Sequence, residues 1–280
     1  MIGRRVESEE GVVLISTFIV LIALTAITVG FLYMVSIQTK GAGWDLPSSQ
    51  ALWLADAGVQ KAIWYLKTPT GSGGQGENWT TAGTTENLGS GSYTMVVARY
   101  DFALSANGAS ASATSSASGT TPGNAIDGND ATYWESNAAP SGSNPQDLII
   151  TFPYALTLNK VRFLSPSSGA TARNYTWGVS SNNVTYTTVV TVTGNAATDV
   201  TNTFSAQTGV NYLRLRVTQD GTGSPSRVRI ATLEAIASKI TSTGTAGSLS
   251  RKVQQTVVAD DGSPQNQVAY DQVDWNETVP

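Results

Sequence analysis

Residues 124–136 of this chain read NAIDGNDATYWES, and this stretch introduces a region of β-type sequence. Its first half crowds Asp, Asn and Gly into a few positions, which is typical of a tight turn. Five short runs rich in β-branched and aromatic residues follow it, separated by Ser, Gly, Asn and Pro: DLIITF, LNKVRFL, YTWGVSS, YTTVVTV and YLRLRVT. Short strands at such spacing predict an antiparallel sandwich or barrel.

The stretch before this region, SANGASASATSSASGTTP at residues 105–122, has a different composition. It consists almost entirely of small and polar residues, as flexible linkers do. By composition alone, the simplest interpretation of residues 105–122 is therefore a flexible, disordered linker.

The β-type region resembles a discoidin domain, also known as the coagulation factor 5/8 type C domain, a family that includes carbohydrate-binding modules of family 32. The resemblance covers about residues 104–238 and rests on the order of its pieces. These pieces are Asn124 to Asn129, Thr132 to Trp134, Asn159 to Val161, Tyr175, Ser180 to Tyr186, Tyr212 to Leu215 and Leu233 to Ile236. The resemblance implies a jelly-roll-like sandwich of eight strands.

The turn near residue 128 is a candidate cation site. Asp127, Asn129, Asp130 and Thr132 place several oxygen atoms close together, and Ca²⁺ is bound by six to eight oxygen ligands. The resemblance implies a structural Ca²⁺ held by Asp127, Thr132 and the later Glu234, with a backbone oxygen near Asn129 or Asp130. The alternative is an Asx-type turn without an ion, because Asp-Gly-Asn is common in turns.

A ligand site is expected on the loops at one end of the sandwich, because sugar-binding discoidin domains use such loops. The corresponding segments here are about 136–146, 165–174 and 218–229. They contain four side chains suited to hydrogen bonding with hydroxyls or a carboxylate: Arg173, Asn174, Arg227 and Arg229. The alternative for each of them is an ordinary solvated surface residue.

The N-terminal region contains a long apolar run. No residue from Gly11 to Thr39 is charged, and as a helix this run would measure about 43 Å at ~1.5 Å per residue. It therefore predicts a single membrane span, with Arg4 and Arg5 favouring an N-terminus on the cytoplasmic side. A cleaved secretory signal is the alternative, since Gly41-Ala42-Gly43 resembles a small-residue cleavage site.

A second helix is predicted after an interruption. Gly41, Gly43 and Pro47 favour a break or kink, and Ser48 or Ser49 is a suitable N-cap. Within residues 48–67, apolar residues recur at spacings of three and four, which predicts one buried stripe. This stripe favours packing in a small domain rather than ligand binding.

Two motifs in this N-terminal part resemble a minor type IV pilin. A short charged leader ends at Glu10-Gly11 before the apolar run, and ALWLADAG at residues 51–58 is similar to a stretch of minor pilins. The resemblance implies cleavage after Gly11 by the prepilin peptidase, methylation at Val12 and packing among other pilin subunits in a filament.

One position departs from the pilin pattern. Most type IV pilins carry Glu at the fifth mature position, whereas this chain has Ser16. The missing carboxylate leaves a neighbouring ammonium without a partner, which is costly in an apolar core. We therefore expect a rare or tip-located subunit rather than a repeated shaft subunit.

The C-terminal part predicts a discontinuous pilin domain. The stretch KITSTGTAGSLSRKVQQTVVA has two β-type runs around a Gly-containing turn and resembles the sheet of minor pilins, as does GSYTMVVA at 91–98. The expected fold class is α+β: a long N-terminal α-helix with a small antiparallel pilin sheet, and an inserted all-β sandwich. The predicted segments are the leader 1–11, the first pilin part 12–103, the discoidin-like insert 104–238 and the second pilin part 239–280, where Trp275 is expected to pack.

Composition narrows the function. Charged residues make up 13% of the chain, the net charge is −4, and neither Cys nor His occurs. These values argue against nucleic-acid binding, Zn sites built on Cys or His, and catalysis by thiolate or imidazole. No acid–base carboxylate pair is apparent, so we do not expect an enzyme.

The leading hypothesis is a minor type IV pilin or pseudopilin. It would be held in the bacterial inner membrane before assembly and would then present the discoidin-like module at the cell surface for adhesion or glycan binding. The alternative is a single-span, membrane-anchored carbohydrate-binding protein that joins no filament.

Overall fold

The computed structural model describes residues 9–221 and 226–258, with the backbone alone at residues 9–14 and 39–45. In these ranges the chain forms one long helix, α1 (Glu9–Lys67), and eleven strands. The strands are β1 (Thr81–Leu88), β2 (Gly91–Asp101), β3 (Ser110–Ala113), β4 (Trp134–Glu135), β5 (Gln146–Leu164), β6 (Ala172–Ser180), β7 (Thr187–Val192), β8 (Asp199–Asp220), β9 (Arg229–Ile230), β10 (Thr232–Ala246) and β11 (Leu249–Val257). Trp275, for which packing is predicted, lies outside the described residues, as do leader residues 1–8.

Helix α1 continues through Gly41, Gly43 and Pro47. The prediction of an interruption before Ser48 is therefore wrong. Proline removes one backbone hydrogen bond, but its fixed φ is compatible with a helix, and the turns on both sides keep their own bonds. Ser48 does not serve as an N-cap here; its hydroxyl oxygen accepts a hydrogen bond from Arg251 Nε at 3.0 Å.

The first half of α1 is apolar and exposed. The segment Ile15–Gln38 has a mean hydropathy of 2.5, and none of it is buried against the rest of the chain. It is long and apolar enough to cross a membrane, and it lies near the N-terminus, where a signal sequence has the same properties.

The second half of α1 packs against an antiparallel sheet with the strand order β1-β2-β10-β11. The predicted apolar stripe forms this contact, and its residues Ala55, Val59 and Ala62 are fully buried. Helix and sheet approach so closely that a Cβ on Gly244 would lie 2.0 Å from the carbonyl oxygen of Ala51. We call this part of the molecule the helix–sheet unit.

The β-sandwich prediction is confirmed. Its sheet runs β5-β8-β6-β7, with β3 paired to the outer side of β5, and β4 and β9 form a separate two-stranded sheet. The core is large and aromatic, and Trp134, Trp177 and Phe163 have no exposed surface. Two of the predicted runs, DLIITF and LNKVRFL, form one strand, β5, whose register against β8 shifts between Thr151 and Lys160.

The expected disorder at residues 105–122 is wrong. Residues Ser110–Ala113 form β3, which pairs with β5, and Ala109 and Ala117 are buried. The small residues fit because alanine side chains enter a core filled by larger neighbours, while the serines make hydrogen bonds. The hydroxyl oxygen of Ser116, for example, accepts a hydrogen bond from Trp134 Nε1 at 3.1 Å.

Strand β10 belongs to both parts of the molecule. Its first residues, 232–235, pair with β5 of the sandwich, and residues 236–246 pair with β2. The chain leaves β2 at Asp101 and returns opposite it at Ile236, so the sandwich lies between two neighbouring strands of the helix–sheet unit. Asp101 Oδ1 accepts the backbone N–H groups of Ala103 and Ala235, each at 2.8 Å.

Candidate functional site

Three loops meet at one end of the sandwich. Gln146 at the start of β5 lies opposite Val217, and Ala172 at the start of β6 lies opposite Asp220 at the end of β8. The segments 136–146, 165–174 and 218–229 adjoin these strand ends; residues 222–225 are outside the described part. A Cβ on Gly221 would lie 2.3 Å from the backbone oxygen of Ser168, so two of these loops touch. We call this region the loop end.

Arg227 and Arg229 are both bound to one carboxylate. Arg227 Nη1 lies 3.2 Å from Glu135 Oε1, and Arg229 Nε lies 2.8 Å from Glu135 Oε2. The Glu135 side chain is 8% exposed, and the two arginines are about one-third exposed. Arg229 also lies over the ring of Tyr133 at 5.4 Å. These two arginines therefore help to fix the β4–β9 pair, and part of each guanidinium remains accessible.

Arg173 and Asn174 lie at the start of β6. Asn174 Nδ2 donates to Gln219 Oε1 at 2.8 Å, and its Oδ1 accepts the backbone N–H of Gly194 at 2.8 Å. Arg173 is partly exposed, and its backbone oxygen accepts the N–H of Asn195 at 2.9 Å. Asn174 is thus used to join β6 to its neighbours, whereas the Arg173 side chain remains a candidate for ligand contact.

Asp220 is a loop-end residue that the sequence reasoning missed. It is 7% exposed, and its Oδ2 is buried without a hydrogen-bond partner among the described residues. Burial raises the pKa of Asp220 above its ordinary value. An unsatisfied buried acceptor costs about 1–3 kcal/mol, so Asp220 is a polar group at the loop end that still lacks a partner among the described residues.

The turn at residues 127–132 brings three of the predicted cation ligands together. Asp127 Oδ2 accepts the Thr132 hydroxyl at 2.6 Å, and Asp127 Oδ1 accepts the backbone N–H of Asn129 at 2.8 Å. The backbone oxygen of Asn129 also accepts the Thr132 hydroxyl, at 2.9 Å. Gly128 at the apex has φ +78°, in the left-handed region that glycine allows.

The other two predicted ligands have different partners. Asp130 accepts the hydroxyl of Thr232. Glu234 accepts from Arg99 and from Arg162 Nη1, the latter at 2.9 Å, and its side chain is 16% exposed. The residue of β10 that reaches the turn is therefore Thr232, whereas the structure binds Glu234 to two arginines.

The donor set of this turn partly fits a hard cation. The carboxylate of Asp127, the oxygens of Asn129 and the Thr132 hydroxyl are all oxygen ligands of the kind Ca²⁺ takes. Both Asp127 oxygens already accept hydrogen bonds inside the loop, as expected for an Asx-type turn. Within the described residues, no group of three or more His, Cys, Asp or Glu side chains is placed to hold a metal. Calcium here stays a prediction.

The partners of these residues are distant in sequence. Glu135 and Arg229 face each other across β4 and β9, 94 positions apart. Thr232 and Asp130 are 102 positions apart. No local pattern marks such pairs, which is why Glu135 and Thr232 were not among the predicted site residues. Asp220 was missed because its burial depends on the folded loops.

Residues 109–230 match the family model of the F5/8 type C domain. This stretch of the chain is therefore an F5/8 type C domain with the discoidin-like sandwich, as the resemblance implied. A comparison of the chain with curated proteins found no match.

Solved structures similar to this chain include carbohydrate-binding modules. One is chitosan-binding module 1 of a chitosanase/glucanase from Paenibacillus sp. IK-5, with 28% identity over 49% of this chain and 98% of that chain and a TM-score of 0.42. Another is the family 32 module of C. perfringens NanJ in complex with galactose, with 24% identity over 50% of this chain and 99% of that chain and a TM-score of 0.42.

Proposed function

We propose that this protein holds a glycan-binding F5/8 type C module outside a membrane, at the end of a long helical stalk. The observation that carries the proposal is the match of residues 109–230 to the F5/8 type C family. The exposed apolar segment Ile15–Gln38 provides the membrane attachment, and the polar module is the part that meets an external ligand.

The loop end has groups that suit sugar hydroxyls. Arg173 supplies donors, and the buried Oδ2 of Asp220 supplies an acceptor that has no partner among the described residues. Sugar hydroxyls both donate and accept hydrogen bonds, so they suit an end of the sandwich that offers donors as well as an acceptor. The accessible parts of Arg227 and Arg229 extend this polar surface.

A glycan screen with the full chain in detergent micelles tests the proposal. We expect specific glycan binding that weakens about tenfold or more in Asp220→Ala and in Arg173→Ala, because each loses a hydrogen bond to the sugar. Asp56→Asn, at an exposed position of α1, is the matched control and should bind like the wild type. Absence of glycan binding, or unchanged affinity in both loop-end variants, would overturn the proposal.

The finer proposal is that the stalk is that of a minor type IV pilin or pseudopilin. Two features support it: α1 leaves an apolar half exposed, and its second half packs on a small antiparallel sheet. The chain would be stored in the bacterial inner membrane with its N-terminus in the cytoplasm, processed by the prepilin peptidase and assembled with other pilin subunits. Ser16 in place of the usual Glu favours a rare or tip position.

Mass spectrometry of the mature N-terminus tests the pilin proposal. We expect a chain that begins at Val12 and carries a methyl group there. An intact Met1 would instead support the second candidate, a membrane-anchored carbohydrate-binding protein outside any filament. A chain that begins after Gly43 would indicate a cleaved signal and would contradict both.

A further inference from the structure

A cavity of about 230 Å³ lies where the sandwich meets the helix–sheet unit. The helix–sheet unit contributes Trp79, Arg99 and Ser238 to its wall, and the sandwich contributes Lys160 and Thr201. We call it the seam cavity. Its wall residues are distinct from those of the loop end, and it requires both parts of the molecule.

Trp79 gives the seam cavity a fixed aromatic wall. Its ring packs edge-on against Tyr65 of α1, with 5.1 Å between the ring centroids. Tyr65 is itself held because its hydroxyl donates to Glu86 at 3.0 Å. An aromatic ring that is positioned in advance loses little conformational entropy when a ligand packs on it.

The polar groups of the seam cavity are also arranged in advance. Lys160 Nζ donates to Glu77 Oε1 at 2.7 Å and to Asn78 Oδ1 at 3.0 Å, and its side chain is 8% exposed. Arg99 is 46% exposed and uses Nη2 to donate to Glu234, so this guanidinium keeps further N–H donors for a ligand. Thr201 and Ser238 add hydroxyl groups to the same wall.

The charges around the seam cavity cancel. Lys160 is paired with Glu77. Arg99 and Arg162 are paired with Glu234, and Arg162 also with Asp199, so two cations face two carboxylates. A charged ligand would leave one member of these pairs without its partner, which favours a neutral ligand.

Size and chemistry together define the ligand class. The cavity is smaller than the ~300–1,000 Å³ of sites for drug-sized molecules, so it suits a single ring. An aromatic wall with donors, acceptors and hydroxyls around it matches the apolar faces and the hydroxyl rim of a sugar. We propose that the seam cavity binds one neutral pyranose ring, as a second glycan site that extends the proposed function.

The test uses the full chain in detergent micelles and three probes: D-galactose, N-acetyl-D-galactosamine and N-acetyl-D-glucosamine. Binding is followed by isothermal titration and by saturation-transfer NMR. Thr201→Tyr should fill the seam cavity, because Thr201 is exposed and the larger side chain can enter the space without displacing the core. Thr188→Tyr, at an exposed position of β7, is the matched control.

We expect two sugar sites in the wild-type chain and in Thr188→Tyr. In Thr201→Tyr, the affinity of one site should fall about tenfold or more, while the melting temperature of the chain should equal that of the wild type. Equal binding by the wild-type chain and Thr201→Tyr, or no binding of any probe up to about 10 mM, would overturn the inference.

Comparing sugar binding by Arg173→Ala and by Thr201→Tyr separates this inference from the proposed function. If Arg173→Ala removes all binding and Thr201→Tyr removes none, the seam site is wrong and the loop-end site stands. If Thr201→Tyr removes all binding and Arg173→Ala removes none, the seam site stands and the loop-end assignment is wrong.

Discussion

The sandwich and the helix–sheet unit share strand β10 but are stabilised by different kinds of contact. The sandwich buries large aromatic side chains, among them Trp134 and Trp177. The helix–sheet unit brings backbones together through small residues, such as Ala51 on α1 and Gly244 on β10. The sandwich should therefore be sensitive to lost volume, and the helix–sheet unit to added volume.

The largest effect is expected from Trp134→Ala. Trp134 has no exposed surface and its Nε1 donates to the backbone of Ser115, so its removal leaves a cavity and an unpaired acceptor. The free energy of unfolding of the sandwich should fall by about 3–5 kcal/mol in urea titrations followed by circular dichroism. Trp53→Ala removes a tryptophan that is 72% exposed and should change stability by less than about 0.5 kcal/mol. Similar losses in the two variants would contradict the difference in burial.

A second effect concerns Asp101, at the junction of the two parts. Burial raises the pKa of Asp101 from 3.8 to about 6. Because the folded pKa exceeds the unfolded one, the contribution of Asp101 to stability is fully present below about pH 4 and is lost as the pH rises through 6. Asp101→Asn stays neutral and keeps an acceptor, so relative to the wild type it should gain about 2–3 kcal/mol between pH 4 and pH 7.

Asp199→Asn is the control, because the contribution of Asp199 to stability should change with pH in the opposite direction. The hydrogen bond from Arg162 lowers the pKa of Asp199, so its contribution is present above the unfolded pKa and is lost as the pH falls. This variant should be less stable than the wild type at neutral pH, with a difference that shrinks towards acid. If the difference in melting temperature between Asp101→Asn and the wild type did not change with pH, the raised pKa of Asp101 would be wrong.

A third effect tests the close contact of helix and sheet. The added Cβ in Gly244→Ala would lie 2.0 Å from the Ala51 backbone oxygen, so α1 must shift and stability should fall by about 1–3 kcal/mol. In Gly83→Ala, on β1 of the same sheet, the nearest atom lies at an ordinary 3.7 Å, and little change is expected. Thermal unfolding of both variants checks this, and equal melting temperatures would mean that the packing is looser than described.

The smallest effect concerns calcium at the turn around Gly128. If Asp127, Asn129 and Thr132 hold Ca²⁺, a tenfold excess over the Kd adds about 1.4 kcal/mol to the stability of the sandwich. EDTA should then lower the melting temperature of the wild-type chain and have no effect on Asp127→Asn. A wild-type chain that melts at one temperature with Ca²⁺ and with EDTA would leave the turn as a hydrogen-bonded Asx turn.

Local sequence pattern was sufficient for several features of this protein. The strand runs, the apolar segment and the stripe from Leu52 to Leu66 follow from side-chain periodicity, which depends on near neighbours. The same reasoning failed at Pro47 and at residues 105–122. In both places contacts with distant residues, such as Arg251 with Ser48 and β5 with β3, accompany a conformation that local propensity disfavours.

The chemistry of the site required the folded chain. The sequence places Asp127, Asn129 and Thr132 in one turn because they are adjacent, and their hydrogen bonds follow from that spacing. Other contacts join residues more than 70 positions apart. They are the ion pairs of Glu135 with Arg227 and Arg229, the ion pairs of Glu234 with its two arginines, and the contacts that form the seam cavity. Strand register and the shared strand β10 bring such residues together, because pairing between distant segments is fixed by burial of the whole core and not by any short pattern.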